Sequence, residues 1–266
     1  MSKSFEKVNT MRITSIQLDM KERSKEESLT YALSLLHHAP ASDLFLLPEI
    51  WPCGFFSFDR YRSDSEPVDG PVVRAFQKEA KKRGSHILMG SMVEREGDRL
   101  FNTSLFLNPK GEIIGRYRKI HLFGYQSRER GLLTPGTDIA VVETPWGKMG
   151  LSTCYDLRFP EFYRKMVDLG ATFFLVASAW PRVRLEAWSL FNRARALENL
   201  AYLFSCNCAG SNANTEYAGH SMLVDPLGKV IAEGGEGKDY VSAEVDPGLV
   251  KAVRKDFPAL DDRVFF

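Results

Sequence analysis

Short apolar runs alternate along the chain with segments in which apolar residues recur at every third or fourth position. An apolar run of about four to eight residues is typical of a buried strand, and the wider spacing is typical of a helix packed on one face. The runs predict strands at Met11–Leu18, Leu44–Leu47, Ile87–Val93, Leu105–Leu107, Glu112–Arg118, Ile139–Glu143, Lys148–Ser152, Phe173–Ala177, Tyr202–Cys206, Met222–Val224, Lys229–Ala232 and Tyr240–Val245. The spacing predicts helices near Leu29–Leu36, from Pro71 to a cap at Gly84, at Pro160–Leu169, at Leu185–Asn199 and from Pro247. Strands that alternate with helices indicate an α/β fold.

Two of the predicted hairpins share one sequence pattern. LFLNPKGEII, which starts at Leu105, and MLVDPLGKVI, which starts at Met222, match in their apolar positions and in the Pro and Gly of the turn. Hairpins of this kind often look alike, but the interpretation we favour is a pseudo-symmetric pair of sheets. No linker rich in Pro, Gly or Ser divides the chain, so we predict a flexible tail over residues 1–10 and a single domain over residues 11–266.

Composition and charge argue against several classes of protein. The 35 Lys and Arg residues balance the 34 Asp and Glu residues, and a net charge of +1 gives no electrostatic reason to expect a nucleic acid or a membrane as partner. No apolar run is long enough to cross a bilayer, and the polar N-terminus lacks the apolar core of a secretory signal, so we expect a cytoplasmic protein.

The four cysteines do not make a disulfide framework and are expected to be free thiols. Without a zinc-ligand spacing, a G-x-G-x-x-G motif or a P-loop, we expect neither a metal nor a nucleotide cofactor.

Three chemically useful side chains, Glu49, Lys119 and Cys154, each follow a predicted strand. Loops beyond strand ends build the sites of α/β proteins, so the three can meet at one rim if their strands share a sheet. A cysteine reacts as its thiolate, a carboxylate can carry protons, and an ammonium can hold an oxyanion. Together they are the parts of an acyl transferase or an amide hydrolase. Each alone is more often a packed thiol, a solvated lysine or a strand-end cap.

The sequences around these residues resemble a known family. FLLPEIWPCGFF, GRYRKIHLFG and GLSTCYDLRFPEFYR are similar, in order and spacing, to the three catalytic segments of the nitrilase superfamily of carbon–nitrogen hydrolases. The resemblance runs from Met11 to Asp262. It implies that Cys154 is the nucleophile, Glu49 the general base and Lys119 the lysine on the oxyanion side.

The family also has a second glutamate, which precedes a Pro-Gly pair and lies between the lysine and the cysteine. Glu129 stands six residues before Pro135-Gly136, and the resemblance implies that it positions the lysine or the attacking groups. Taken alone, a glutamate in the charged run Arg-Glu-Arg could equally be a solvated surface carboxylate.

Other residues near the predicted nucleophile receive supporting roles. The backbone N–H of Tyr155 is expected to hold the oxyanion together with the lysine. His121 could pair with the cysteine in a papain-like dyad, but the family roles are already filled and we predict a structural role for it. Asp156 and Arg158 are expected to form a buried ionic pair that braces the turn after Cys154.

The family implies a four-layer α-β-β-α sandwich that needs no metal or organic cofactor. Its subunits usually pair through helices near the nucleophile. Here those helices are near Glu161–Leu169 and at Leu185–Asn199, and we therefore expect a homodimer or a higher homo-oligomer.

The substrate prediction depends on the later part of the chain. SAWPRVRLEAWSLFNRARALENLAYLFSCNCAG, from Ser178, and GHSMLVDPLGKVIAEG resemble the bacterial branch close to ω-amidases, which deaminate small dicarboxylate monoamides such as 2-oxoglutaramate. Gly124 departs from that pattern, in which an aspartate follows His-Leu-Phe. A second carboxylate on the substrate requires a cation, for which Arg182 and Arg184 are candidates, although either could be a surface residue at a helix start. The aromatic residues predicted to wall the pocket are Phe55, Tyr125, Tyr155 and Trp180.

Alternatives in several classes stay open at this point. The same thiol chemistry serves nitrilases, N-carbamoyl hydrolases and aliphatic amidases, and strand ends alone do not choose among them. A non-catalytic scaffold member is a further hypothesis, against which the intact glutamate, lysine and cysteine argue. An amidase that feeds ammonia to a synthetase would need a separate partner chain.

Overall fold

The computed structural model describes residues 10–265. Residues 1–9 of the predicted tail lie outside the described residues. The helices, numbered in chain order, are α1 Lys25–His38, α2 Tyr61–Asp64, α3 Pro71–Arg83, α4 Glu129–Leu132, α5 Pro160–Asp168, α6 Leu185–Asn199 and α7 Gly248–Asp256. The strands are β1 Met11–Gln17, β2 Asp19–Met20, β3 Leu44–Leu46, β4 His86–Glu96, β5 Arg99–Leu107, β6 Ile113–Arg118, β7 Val141–Thr144, β8 Gly147–Thr153, β9 Ala171–Ser178, β10 Tyr202–Asn207, β11 Ala209–Asn212, β12 Thr215–Glu216, β13 Met222–Val224, β14 Val230–Glu233 and β15 Asp239–Val245.

Two six-stranded sheets carry the architecture. Their strand orders are β15-β1-β3-β4-β5-β6 and β14-β13-β10-β9-β8-β7. Each sheet has three parallel strands, β1-β3-β4 in one and β8-β9-β10 in the other, followed by an antiparallel hairpin and closed at the opposite edge by one antiparallel strand. The hairpins β5-β6 and β13-β14, whose sequences share one pattern, occupy equivalent places. The structure therefore has the pseudo-symmetric pair of sheets that this repeat predicts.

The sheets pack face to face, and helices cover both outer surfaces. Alternate residues of a strand point to opposite faces, so Phe106 of β5 joins the core between the sheets while Leu105 and Leu107 pack outward under α1 and α3. On the other side, Phe162 of α5 and Trp188 of α6 pack on the second sheet. The predicted α-β-β-α sandwich is confirmed.

Local chemistry explains where the helices begin and end. Ser24 and Glu27 form a capping box at the start of α1, in which each side chain accepts a hydrogen bond from the other residue's backbone N–H. Pro71 and Pro160 occupy the first turns of α3 and α5, where a missing N–H costs nothing. Gly84 ends α3 in the left-handed conformation, as predicted.

The sequence pattern missed elements that are short or polar. β5 begins at Arg99 rather than at the predicted Leu105, because its first half carries Asn102, Thr103 and Ser104, which are buried although they are polar. A third sheet, β12-β11-β2, is made of polar two- to four-residue strands and has no apolar signal. Between residues 10 and 265, none of the helices has the length and apolar character needed to cross a membrane.

One glycine lets the first sheet approach the loop after β3. Gly90 lies at a bulge of β4 with a positive φ of 69°, and a Cβ placed there would collide with the carbonyl oxygen of Pro48, next to Glu49. That same carbonyl accepts a hydrogen bond from the N–H of Ser91 at 3.0 Å. The residue before the predicted base is thus held against the backbone of the neighbouring strand.

Replacing this glycine tests the constraint. We expect Gly90→Ala to lower the free energy of unfolding by about 1 kcal/mol for the left-handed backbone and by roughly a further 1–3 kcal/mol for the forced contact. Gly97→Ala is the matched control, because Gly97 also has a positive φ of 60° but nothing lies within 4 Å of its Cβ position. Denaturant unfolding measures the free energy of unfolding of both variants. An equal loss in the two would show that the close approach of Gly90 to Pro48 does not contribute to stability.

Candidate active site

The predicted catalytic residues come from both sheets, although the sequence suggested one shared sheet. Glu49 and Lys119 follow β3 and β6 of the first sheet, whereas Cys154 follows β8 of the second. They meet because the two sheets pack face to face. The charges of Glu49 and Lys119 both act on the Cys154 thiol. The structure therefore brings the three side chains into one site, as expected, but from two sheets and not from one.

Lys119 lies at the centre of a buried ionic cluster. Its Nζ is 2.8 Å from Oε1 of Glu49 and 3.0 Å from each carboxylate oxygen of Glu129, and all three side chains are fully buried. Burial by itself lowers the pKa of Lys119, but the carboxylates of Glu129 and Glu49 outweigh it and hold the pKa above its ordinary value. The lysine is therefore an ammonium.

Glu129 belongs to this cluster and not to the surface, so the alternative of a solvated carboxylate is wrong. It opens the short helix α4, and its Oε2 accepts a hydrogen bond from the backbone N–H of Phe123 at 2.7 Å. Arg128, the preceding residue, faces outward and pairs with the exposed Asp59. Burial raises the pKa of Glu129, and Lys119 opposes that shift. The helical turn therefore directs Glu129 into the buried cluster and Arg128 outward.

Asn102 is a site residue that sequence reasoning missed. Its Nδ2 donates to Oε1 of Glu49 at 2.8 Å and to Oε1 of Glu129 at 3.0 Å, and the residue is buried. One amide therefore spans the two carboxylates that also share the lysine. The sequence did contain one signal for this residue. Asn102 is an even number of residues from Phe106, so both lie on the face of β5 that points into the core between the sheets.

Cys154 occupies a strained position at the end of β8. Its φ is +46°, an uncommon value for a residue other than glycine, and its exposed fraction is 8%. Burial raises the pKa of its thiol and the carboxylate of Glu49 raises it further, while the ammonium of Lys119 acts in the opposite direction. The resting sulfur is therefore a neutral thiol that needs a base before it can attack.

Asp156 does not pair with Arg158, contrary to the sequence prediction. It lies in the 3₁₀ turn after the cysteine, where its Oδ2 accepts from the Tyr117 hydroxyl at 2.6 Å and from the Thr153 N–H at 2.8 Å. Its Oδ1 is 2.7 Å from Nδ1 of His121. The tight turn directs Asp156 inward, where these groups already satisfy it. This carboxylate ties the loop after Lys119 to the strand that carries Cys154, in keeping with a structural role for His121.

A small cavity opens onto Cys154. Among the predicted pocket residues, four line it: Phe55, Tyr155, Trp180 and Arg184. The sequence analysis did not predict that the remaining wall residues line the pocket; they are Phe56, Phe123, Arg158, Ala179 and Pro181. The guanidinium of Arg158 lies 5.3 Å from the ring centroid of Trp180 and 5.1 Å from that of Phe191.

Tyr125 and Arg182 lie outside this inner cavity. Both line an adjoining, more open outer cavity, which shares Arg184 with the inner one. Tyr125 is 63% exposed, and Arg182 forms ion pairs with Glu216 at 3.0 Å and Glu236 at 2.7 Å. Arg182 is thus already neutralised by its neighbours. Within residues 10–265, no cluster of three or more His, Cys, Asp or Glu side chains is arranged to hold a metal ion.

Comparison with known proteins decides the family. The family described as carbon-nitrogen hydrolase matches residues 12–255. The chain belongs to the carbon–nitrogen hydrolase family. It is therefore a hydrolase that acts on carbon–nitrogen bonds other than peptide bonds.

Three relatives of this hydrolase cover nearly its whole length. The 2-oxoglutaramate amidase of Bacillus subtilis is 35% identical over 252 residues, which are 94% of this chain and 96% of the relative. The crystal structure of Nit3 from Saccharomyces cerevisiae, a member of branch 10 of the nitrilase superfamily, has a TM-score of 0.88 at 30% identity and covers 96% of this chain and 97% of that one. A CN-hydrolase superfamily protein from Xanthomonas campestris, whose structure carries an arsenic adduct in its active site, has a TM-score of 0.90 at 31% identity, with 97% and 98% covered.

The bridging amide of Asn102 can be tested against a similar amide elsewhere in the hydrolase. We expect Asn102→Ala to reduce kcat by about tenfold to a hundredfold, because Glu49 loses one of the donors that fix its position. Asn108→Ala is the control, since Asn108 also donates to a glutamate, Glu112 at 2.7 Å, but in an exposed turn. Steady-state kinetics should show normal turnover in the control. Normal turnover in Asn102→Ala as well would mean that the amide does not position the base.

Proposed function

We propose that this carbon–nitrogen hydrolase cleaves a small amide to a carboxylic acid and ammonia through a thioester on Cys154. The observation that carries the proposal is the buried Lys119, held between two glutamates beside a cysteine that opens onto a small cavity. A neutral thiol next to a fixed carboxylate is suited to general-base activation, in which the proton leaves the sulfur as the sulfur attacks.

In this mechanism Glu49 is the base. Its Oε1 is held by Lys119 and Asn102, and its Oε2 accepts from the backbone N–H of Ala179 at 3.0 Å. Glu49 takes the thiol proton, the Cys154 sulfur bonds to the carbonyl carbon, and the oxyanion forms beside Lys119 and the backbone N–H of Tyr155. The tetrahedral intermediate collapses, the carbon–nitrogen bond breaks, and Glu49 gives its proton to the departing ammonia.

The second half of the reaction returns the enzyme to its resting state. A water molecule enters the site vacated by ammonia and gives a proton to Glu49 as it attacks the thioester. The carbon–sulfur bond breaks, the acid leaves, and the proton returns to Cys154. Glu129 contacts Lys119 rather than the cavity, so we assign it the role of holding the ammonium in place.

We infer a dicarboxylate monoamide as the substrate class. Arg158 and Arg184 both line the inner cavity, and within residues 10–265 neither has a carboxylate within 4.0 Å. Two such guanidinium groups favour a substrate that carries an anionic group beside its amide. Arg184 is one of the two arginines that the sequence predicted to bind the substrate carboxylate. We assign the second contact to Arg158 and not to Arg182, because Arg182 already forms ion pairs with two glutamates. The 2-oxoglutaramate amidase of Bacillus subtilis and the omega-amidase of Saccharomyces cerevisiae support this choice.

Ammonia release over a small substrate panel tests the proposal. The panel contains 2-oxoglutaramate, succinamate, a neutral aliphatic amide, an N-carbamoyl amine and a nitrile, with Cys154→Ala as the blank. We expect selective turnover of the two carboxylated amides and none in the blank. Faster turnover of a neutral substrate would contradict the carboxylate pocket but leave the thiol chemistry in place, and full activity in the blank would remove Cys154 from the mechanism.

The arginines give a separate prediction. Arg158→Ala and Arg184→Ala should each raise KM for 2-oxoglutaramate by about tenfold to a hundredfold, which is the usual loss for a hydrogen bond to a charged group. Their effect on a neutral amide should be small. Arg182→Ala is the matched control, and its KM should stay near the wild-type value. If KM increased only in Arg182→Ala, Arg182 would be the residue that binds the substrate carboxylate.

We also infer that the enzyme forms a homodimer through α5 and α6. Leu190 and Leu197, seven residues apart on one face of α6, are 65% and 51% exposed, and Leu169 after α5 is 51% exposed. Apolar side chains grouped in this way favour burial against another subunit. Light scattering should report a dimer for the wild type and a monomer for the double variant Leu190→Lys, Leu197→Lys, while Ile113→Lys, on β6, should stay dimeric. An unchanged mass for the double variant would place the interface elsewhere.

The cytoplasmic location stays a prediction. All four cysteines, Cys53, Cys154, Cys206 and Cys208, are free. Reducing compartments keep thiols in that state, which supports the prediction.

A further inference from the structure

Ser178 lies directly beside the predicted nucleophile. It is the last residue of β9, which runs parallel to β8 with Thr153 opposite Ala177. Cys154 and Ser178 are the residues that directly follow this pair. The serine is fully buried.

The backbone around Ser178 is occupied by Glu49 and its neighbours. The carbonyl oxygen of Ser178 accepts hydrogen bonds from the N–H groups of Glu49 and Cys208, each at 3.2 Å. The next N–H, that of Ala179, donates to Oε2 of Glu49 at 3.0 Å. Backbone hydrogen bonds therefore connect the segment of Ser178 and Ala179 directly to Glu49.

The hydroxyl group, in contrast, is unused. Among the described residues, Oγ of Ser178 has no hydrogen-bond partner, although it is completely buried. A buried hydroxyl without a hydrogen-bond partner is uncommon in native structures, and a catalytic role is one of the explanations for such a group. The reactive group on which this hydroxyl acts is the sulfur of Cys154.

The electrostatics at that sulfur agree with this view. Burial and the carboxylate of Glu49 raise the pKa of the Cys154 thiol, whereas three groups lower it: the ammonium of Lys119, the hydroxyl of Ser178 and the N–H of Ala179. The other charged groups of the cluster, Glu129 included, contact Lys119 and not the thiol. The serine hydroxyl is the neutral side chain in position to stabilise negative charge on the sulfur.

We propose that Ser178 is a further catalytic residue whose hydroxyl donates a hydrogen bond to the Cys154 sulfur whenever the sulfur carries negative charge. The proposal rests on the role of Cys154 given under the proposed function. The sulfur becomes anionic twice, first as Glu49 removes the thiol proton and again as water displaces the sulfur from the thioester. Ser178 gives up no proton in either step. Because a hydroxyl donates a stronger hydrogen bond to a charged sulfur than to a neutral thiol, the interaction stabilises the transition state more than the resting enzyme.

Alkylation without substrate provides the first test. Wild type and Ser178→Ala are treated with iodoacetamide over a range of pH, and modification of the peptide that contains Cys154 is followed by mass spectrometry. We expect Ser178→Ala to be alkylated about tenfold to a hundredfold more slowly at neutral pH, with its rate profile shifted to higher pH. In turnover, kcat should fall by a similar factor while KM changes little. The thermal midpoint should not fall, because the missing hydroxyl had no partner.

Two further variants make the result specific. Ser178→Thr keeps the hydroxyl and should recover much of the alkylation rate. Ser205→Ala removes a buried hydroxyl from the neighbouring strand β10, where it is hydrogen-bonded to Met222 at 3.2 Å, so it should lower stability and leave the Cys154 profile unchanged. If Ser178→Ala does not fold, comparison of the threonine variant with wild type carries the test.

The outcomes separate this inference from the proposed function. A wild-type alkylation profile in Ser178→Ala would overturn the role of Ser178, whatever happens to kcat, because a loss of kcat alone would place the hydroxyl on the substrate. Activity in Cys154→Ala would instead overturn the thioester mechanism.

Discussion

The ammonium of Lys119 is the group around which the site is organised. A charge taken out of water costs several kcal/mol unless it is paired and hydrogen-bonded, and loss of one partner of a buried pair typically costs about 3–5 kcal/mol. Lys119 satisfies this requirement with Glu49 and Glu129, and Asn102 in turn satisfies the two carboxylates. The ends of β3 and β6, the middle of β5 and the start of α4 must therefore converge.

The same cluster determines how the cysteine behaves. Glu49 is held close to the sulfur, so its charge keeps the thiol protonated until the proton can pass to the carboxylate itself. That transfer moves charge within the site without changing its total, which avoids creating a new buried charge. In the proposed mechanism, the site therefore keeps its nucleophile neutral at rest and activates it only as the new bond forms.

The sequence predicted most of the fold from local signals, and it predicted that Glu49, Lys119 and Cys154 lie in one site from their places at strand ends and from the family resemblance. Strand ends could be read from apolar runs, and the residues just beyond them were Glu49, Lys119 and Cys154. The direction of a side chain within a tight turn cannot be predicted from such local signals, because contacts with residues distant in the sequence determine it. For that reason Asp156 turned inward to Tyr117 and His121 instead of pairing with Arg158. Asn102 was missed because the predicted strand began at Leu105, so that its place on the inward face of β5 was not recognised.

The two equivalent sheets also bear on the history of the chain. The first contributes the base and the lysine, and the second contributes the cysteine, each from a strand end. Duplication of a half-length gene would produce such a pair of sheets, and the two copies would then have divided the chemistry between them. A half-length ancestor could complete such a site only by associating with a second copy of itself, so what is now a contact between sheets of one subunit would have begun as a contact between subunits.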